Sequence, residues 1–159
     1  MLTGHPPFVL DPQLAADCHV LGSTPHSEVL LLDNALLPWL ILVPRCRHSE
    51  IIDLPGELQR AVLDEIALLS RFVRQHFACD KLNTATIGNI VRQLHIHIVG
   101  RRTDDCCWPQ VVWGQQQRQP YTLDRVIQLR DRLAGEPGLQ LHRNSELRDK
   151  ALQNSCANS

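Results

Sequence analysis

Gln93, His95 and His97 alternate with Leu94, Ile96 and Ile98, and Val99 follows. A polar–apolar period of two is that of a β-strand with one buried face. The spacing predicts a strand over residues 93–99, with an amide and two imidazoles on one side at steps of about 6.5–7 Å. Imidazole is a competent nucleophile near neutral pH, because much of it is unprotonated there. A flanking imidazolium and an amide would donate to the non-bridging oxygens of a phosphate. Two plainer readings stand beside this one. A histidine on a strand is often a satisfied core residue, although three polar heads on one face would all need partners. His95 and His97 could also ligate zinc with Cys106 or Cys107, but a zinc site needs three or four ligands and adjacent cysteines fit one tetrahedral ion poorly.

The elements that must position these residues are legible in the same way. Residues 12–17 read as a short helix after an Asp-Pro start. Residues 28–32 and 39–43 read as neighbouring strands, with Asp33-Asn34-Ala35 supplying turn chemistry. Over residues 53–77 the period changes to three and four: Leu58, Val62, Ile66, Leu69, Val73 and Phe77 form one apolar stripe. Asp53 is the expected N-cap of this helix, and Arg60, Asp64, Glu65, Arg71 and Arg74 its solvated face. Residues 81–86 read as a strand, with a break at Gly88-Asn89 before the histidines. A second helix is expected over 123–133, and a frayed one near 145–152. The boundary falls after Gly114, giving a catalytic domain at 1–114 and a C-terminal helical extension with a flexible tail at 115–159.

Composition narrows the function classes. The 159 residues suit one core, and 43% hydrophobic with 21% charged residues is ordinary for a globular chain. A net charge of −1 gives no global field toward nucleic acid or anionic membrane, so a phosphate ligand needs a local site. No segment suggests a membrane span or signal peptide, and the six cysteines form no C-x-x-C pair. The expectation is a cytoplasmic protein with reduced thiols.

Residues 83–101, Asn-Thr-Ala-Thr-Ile-Gly-Asn-Ile-Val-Arg-Gln-Leu-His-Ile-His-Ile-Val-Gly-Arg, resemble the signature of the histidine triad (HIT) superfamily. That signature is His-φ-His-φ-His-φ-φ, with φ apolar, preceded by an Asn and a Gly-Gln or Gly-Asn pair. Upstream, Leu31-Leu32-Asp33, Pro38 and Leu42-Val43-Pro44-Arg45 are similar to the family's Asp, Pro and Val-Pro-Lys stretch. The likeness is strongest to a bacterial branch with Gln-Leu-His-φ-His and a downstream Trp-Pro…Val-Trp-Gly, here Trp108-Pro109 and Val112-Trp113-Gly114. It covers about residues 11–114 and includes diadenosine polyphosphate hydrolase-like proteins.

The resemblance implies an α+β fold: an antiparallel sheet of about five strands, one long helix packed on it and a C-terminal helix, in a homodimer. It implies hydrolysis of a nucleoside phosphate ester or anhydride, such as a dinucleoside polyphosphate, through a covalent nucleotidyl intermediate on His95. His97 would contact the phosphate or orient the nucleophile, Asn83 and Asn89 would bond the phosphate or leaving group, and Asp33 would bind ribose hydroxyls. No cofactor or protein-bound metal is implied, although a divalent cation can arrive with the substrate. The nucleotide is the expected partner, without nucleic acid or membrane.

Two departures stand out. Gln93 replaces the first histidine and cannot carry a proton or positive charge, so slower turnover is expected, and Gln93→His should give equal or faster turnover. Trp39-Leu40 stands after Pro38 where many relatives carry a further histidine, a candidate proton donor. The competing class is therefore a weakly active or non-catalytic nucleotide-binding protein, and a His/Cys metal-binding protein is the third. The two downstream tryptophans are expected to pack structurally, and Arg101 and Arg102 to lie in a solvated loop with Asp104 and Asp105.

Overall fold

Five strands pair antiparallel in the order β1-β2-β3-β5-β4: β1 (Cys18–Ser23), β2 (Ser27–Leu32), β3 (Trp39–Pro44), β4 (Lys81–Ala85) and β5 (Ile96–Arg101). The structure, a computed structural model, describes residues 8–139. Helix α1 (Pro12–Asp17) precedes β1, α2 (Gly56–His76) joins β3 to β4, and α3 (Leu123–Ala134) follows the sheet. This is the expected α+β arrangement.

The register of β3 on β5 separates the two faces. Ile41 stands opposite His97 and Trp39 opposite Val99, while Leu40 and Leu42 stand opposite Ile98 and Ile96. Because side chains alternate across a strand, Leu40, Leu42, Ile96 and Ile98 share one face, and Trp39, Ile41, His97 and Val99 the other. The first face packs beneath α2 and α3 through Val62, Leu69, Phe72, Val73, Val126, Leu129 and Leu133. The second carries a separate cluster of Leu30, Trp39, Ile41, Val99, Cys107 and Val112, joined by Leu14 of α1. Gly100 lets α2 approach, since a Cβ there would stand 2.9 Å from both Pro38 Cγ and Val73 Cγ1.

Several boundaries differ from the sequence reading. β5 begins at Ile96, and Gln93 lies in a bend before it. α2 begins at Gly56 with Pro55 as an N-cap that makes no side-chain bond, because Ile51–Asp53 form a separate 3-10 turn. Glu65, expected on the solvated face, is buried and accepts from Ser27 Oγ at 2.6 Å and His26 N at 3.1 Å. It thereby ties α2 to the turn before β2. β1 was not read from sequence, and its pairing with β2 is interrupted by a register shift between Val20 and Gly22. The helix expected near 145–152 lies outside the described residues.

Candidate active site

β5 is central in the sheet, so its first residues are held from both sides. Ile96 pairs with Leu42 of β3, and His97 with Ile41 of β3 and Ala85 of β4. His95 and His97 are both buried, with ring centroids 4.9 Å apart and planes at 77°.

The hydrogen bonds assign each ring a tautomer. His95 Nδ1 lies 2.7 Å from the Gln93 carbonyl oxygen. A carbonyl only accepts, so Nδ1 carries the proton, and in the neutral ring Nε2 keeps its lone pair. At His97 the order is reversed. Trp39 Nε1 donates to His97 Nδ1 at 2.9 Å, so the neutral His97 ring bears its proton on Nε2. Burial, with the neighbouring His95 charge as a smaller contribution, pushes the His97 pKa down from 6.5 to about 4. His97 is therefore a neutral donor near physiological pH and not the imidazolium expected from sequence.

Trp39 is the site residue that sequence reasoning passed over. It was noted for what it replaces, yet its indole fixes the second imidazole. Trp113 completes an aromatic corner: its ring lies 5.6 Å from His97 and 5.7 Å from Trp39, edge-on to both. Its buried Nε1 has no partner among the described residues. The packing role expected for this tryptophan is thus packing against the site itself.

A cavity of about 380 Å3 opens at His95, lined also by Gln93, Asn89, Gly88, Thr86, Ser49 and Glu50. Among the described residues its wall includes one carboxylate and no lysine or arginine. The structure thus brings Asn89, Gln93 and His95 together, with His97 against His95. Asn83 is on β4, where its Oδ1 accepts from Arg101 Nη1 at 2.9 Å. Asp33 lies just past β2. Its Oδ1 accepts from His19 Nε2 at 3.0 Å and from the Tyr121 backbone N–H at 2.8 Å. Burial alone would raise the Asp33 carboxyl, but the Tyr121 N–H and the His19 ring outweigh it and hold the group below its ordinary value.

The expectation for Arg101 changes here. Arg101 is not solvated: it is 1% exposed, grips both oxygens of Asp105 at 2.7 and 3.0 Å, and lies 5.5 Å from the Trp108 ring. Cys107 stands beside this pair, its Sγ 3.8 Å from Arg101 Nη2, and burial raises its thiol to about 11. Among the described residues no three His, Cys, Asp or Glu side chains are grouped to hold a metal ion.

The model of the HIT domain matches residues 13–104, which is more than half of the chain. The chain belongs to the HIT family. This family comprises nucleotide-binding proteins, hydrolases and transferases among them. Among solved structures, a histidine triad protein from Bradyrhizobium japonicum is 41% identical, with a TM-score of 0.76 over 79% of this chain and 95% of that one. One from Marinobacter aquaeolei VT8 is also 41% identical, with a TM-score of 0.77 over 80% and 94%. A third, from Sinorhizobium meliloti 1021, is 32% identical, with a TM-score of 0.76 over 79% and 93%. No curated protein matches the chain. The HIT match spans α1 to β5, and α3 lies beyond it yet packs into the same core as α2.

Proposed function

We propose that this HIT protein hydrolyses a nucleoside phosphate ester or anhydride, dinucleoside polyphosphates included, through a nucleotidyl intermediate on His95. The supporting observation is that His95 Nδ1 is committed to the Gln93 carbonyl, which leaves Nε2 as the free nitrogen of a residue lining the cavity. In the first step the Nε2 lone pair forms a bond to the α-phosphorus, and the bond to the leaving group breaks with its electron pair. In the second, water attacks phosphorus and the P–N bond breaks with its electron pair returning to His95 Nε2. One proton of the water passes to solvent, and the nucleotide departs with the water oxygen on its phosphate.

The remaining residues take supporting roles. His97 donates a neutral hydrogen bond from Nε2, and Asn89 donates to the phosphate from the loop that closes the cavity. Asn83 has its side-chain oxygen occupied by Arg101, so its N–H groups are those left for a phosphate or leaving group. Asp33 accepts from the ribose hydroxyls. The working protein on this reading is a cytoplasmic homodimer, and any divalent cation comes with the polyphosphate. A second reading, nucleotide binding with little turnover, draws on two residues of the triad positions: His97 is neutral near physiological pH and Gln93 cannot be charged.

Turnover of a diadenosine polyphosphate and of an activated nucleoside phosphoramidate, wild type against His95→Ala, separates the two. Loss of turnover in His95→Ala supports covalent catalysis. Nucleotide binding without wild-type turnover supports the binding protein.

A further inference from the structure

Both ends of the Gln93 side chain are occupied. Its Nε2 donates to the Val9 carbonyl at 2.9 Å, and its Oε1 accepts from the Asp11 N–H at 2.9 Å. These are the two backbone groups that flank Leu10, the pair that a parallel strand partner takes around a residue. The primary amide of Gln93 therefore imitates the N–H and C=O that one residue of a parallel strand presents, and adds the N-terminal segment to the rim of the site. Phe8 and Leu10 supply the apolar side of this contact by packing against the cluster that contains Trp39 and Ile41. Asp11 goes on to cap α1, its Oδ1 accepting from Gln13 N at 2.8 Å. On its other side, the Gln93 carbonyl is the group that fixes His95.

We infer that Gln93 is a positioning residue. Its side chain docks the segment Val9 to Asp11, and that anchorage holds the Gln93 carbonyl where it orients the nucleophilic ring of His95. The inference rests on the reading of His95 as nucleophile. It also gives a chemical reason for glutamine at this position. An amide sets a donor and an acceptor side by side, whereas the N–H and lone pair of an imidazole diverge across the ring and cannot take both backbone groups. The expectation for Gln93→His is thereby reversed: the substitution slows the nucleotidylation step.

The test follows the Asp11 amide by hydrogen exchange, together with the single-turnover rate of nucleotidyl transfer to His95 from an activated nucleoside phosphoramidate. With two neutral hydrogen bonds removed, Gln93→Ala exchanges the Asp11 amide about tenfold faster and forms the adduct about tenfold slower. Gln93→Glu behaves the same near neutral pH, although a carboxylate is itself a good acceptor. Its second oxygen meets the Val9 carbonyl oxygen with no proton between them, and that repulsion displaces the segment and with it the Asp11 N–H. Near about pH 4, where a glutamate is largely protonated, its acid form offers a donor and an acceptor again. There the Asp11 exchange rate of Gln93→Glu returns toward that of wild type measured at the same pH. A purely structural contact would show no such selective recovery. An unchanged adduct rate in Gln93→Ala, or Asp11 exchange in Gln93→Glu that stays fast at low pH, overturns the positioning role alone. Absence of any adduct in the wild type overturns the His95 reading and the inference with it.

Discussion

The indole N–H of Trp39 donates to Nδ1 of His97 at 2.9 Å, so a tryptophan on β3 sets the proton position of a histidine on β5. The two residues are 58 positions apart and meet because β3 and β5 are neighbours in the sheet. The bond leaves His97 with a donor at Nε2, the form useful toward a phosphate oxygen.

Trp39→Phe keeps most of the ring's bulk and removes the donor, leaving a buried acceptor without its partner. The expected cost is about 1–2 kcal/mol of stability. In the imidazole nitrogen NMR spectrum, His97 changes from a single tautomer to a mixture. A His97 spectrum identical to wild type would show that the indole does not fix the ring.

Burial holds the His97 pKa near 4, against 6.5 for the free side chain. Between those values the unfolded chain binds a proton at this position that the folded chain does not. Stability from this group is therefore complete above about pH 6.5 and is lost as pH falls toward 4, by up to roughly 3 kcal/mol. Urea unfolding at pH 7, 6 and 5 checks this against His97→Gln, which lacks the titration. Equal pH slopes in the two proteins would contradict the assignment.

Gly100→Ala places a methyl group 2.9 Å from Pro38 Cγ and Val73 Cγ1, on the face that carries α2. Neither neighbour is the end of a flexible side chain, so the expected destabilisation is about 1–3 kcal/mol. A melting temperature equal to wild type would show that α2 does not pack that closely on β5.

Among the described residues, Glu50 is the only acidic residue lining the cavity at His95, and no lysine or arginine there balances it. Glu50→Gln removes repulsion toward an anionic substrate. Because Glu50 is exposed, the expected gain in affinity for a polyphosphate nucleotide is only about two- to threefold, shrinking with added salt. Calorimetric titration at low and high salt measures it, and weaker binding by the variant would give Glu50 a different role.

The parts of this protein that were legible in sequence are those set by local periodicity. The stripe from Leu58 to Phe77 announced α2, and the apolar runs at Leu31 and Leu42 announced central strands. The alternation at His95 and His97 singled out the candidate site. What stayed hidden depends on partners far along the chain. Nothing near Gln93 reveals that its amide meets Val9 and Asp11, 84 and 82 residues away. Glu65 falls within α2 where either face accepts it, and only the distant Ser27 and His26 draw it inward. Arg101 and Asp105 looked like loop charges because a buried ion pair and an exposed one read alike in sequence. The strand period also overran its element: alternation continues from Ile96 back to Gln93, but pairing with β3 and β4 does not.

The most direct measurement is intact-protein mass spectrometry after mixing with an activated nucleoside phosphoramidate and quenching without acid, which preserves a P–N bond. The account predicts a wild-type adduct heavier by one nucleotidyl group, mapped to His95 and absent from His95→Ala. An adduct that persists in His95→Ala, or wild-type turnover with no adduct at any time point, would contradict it.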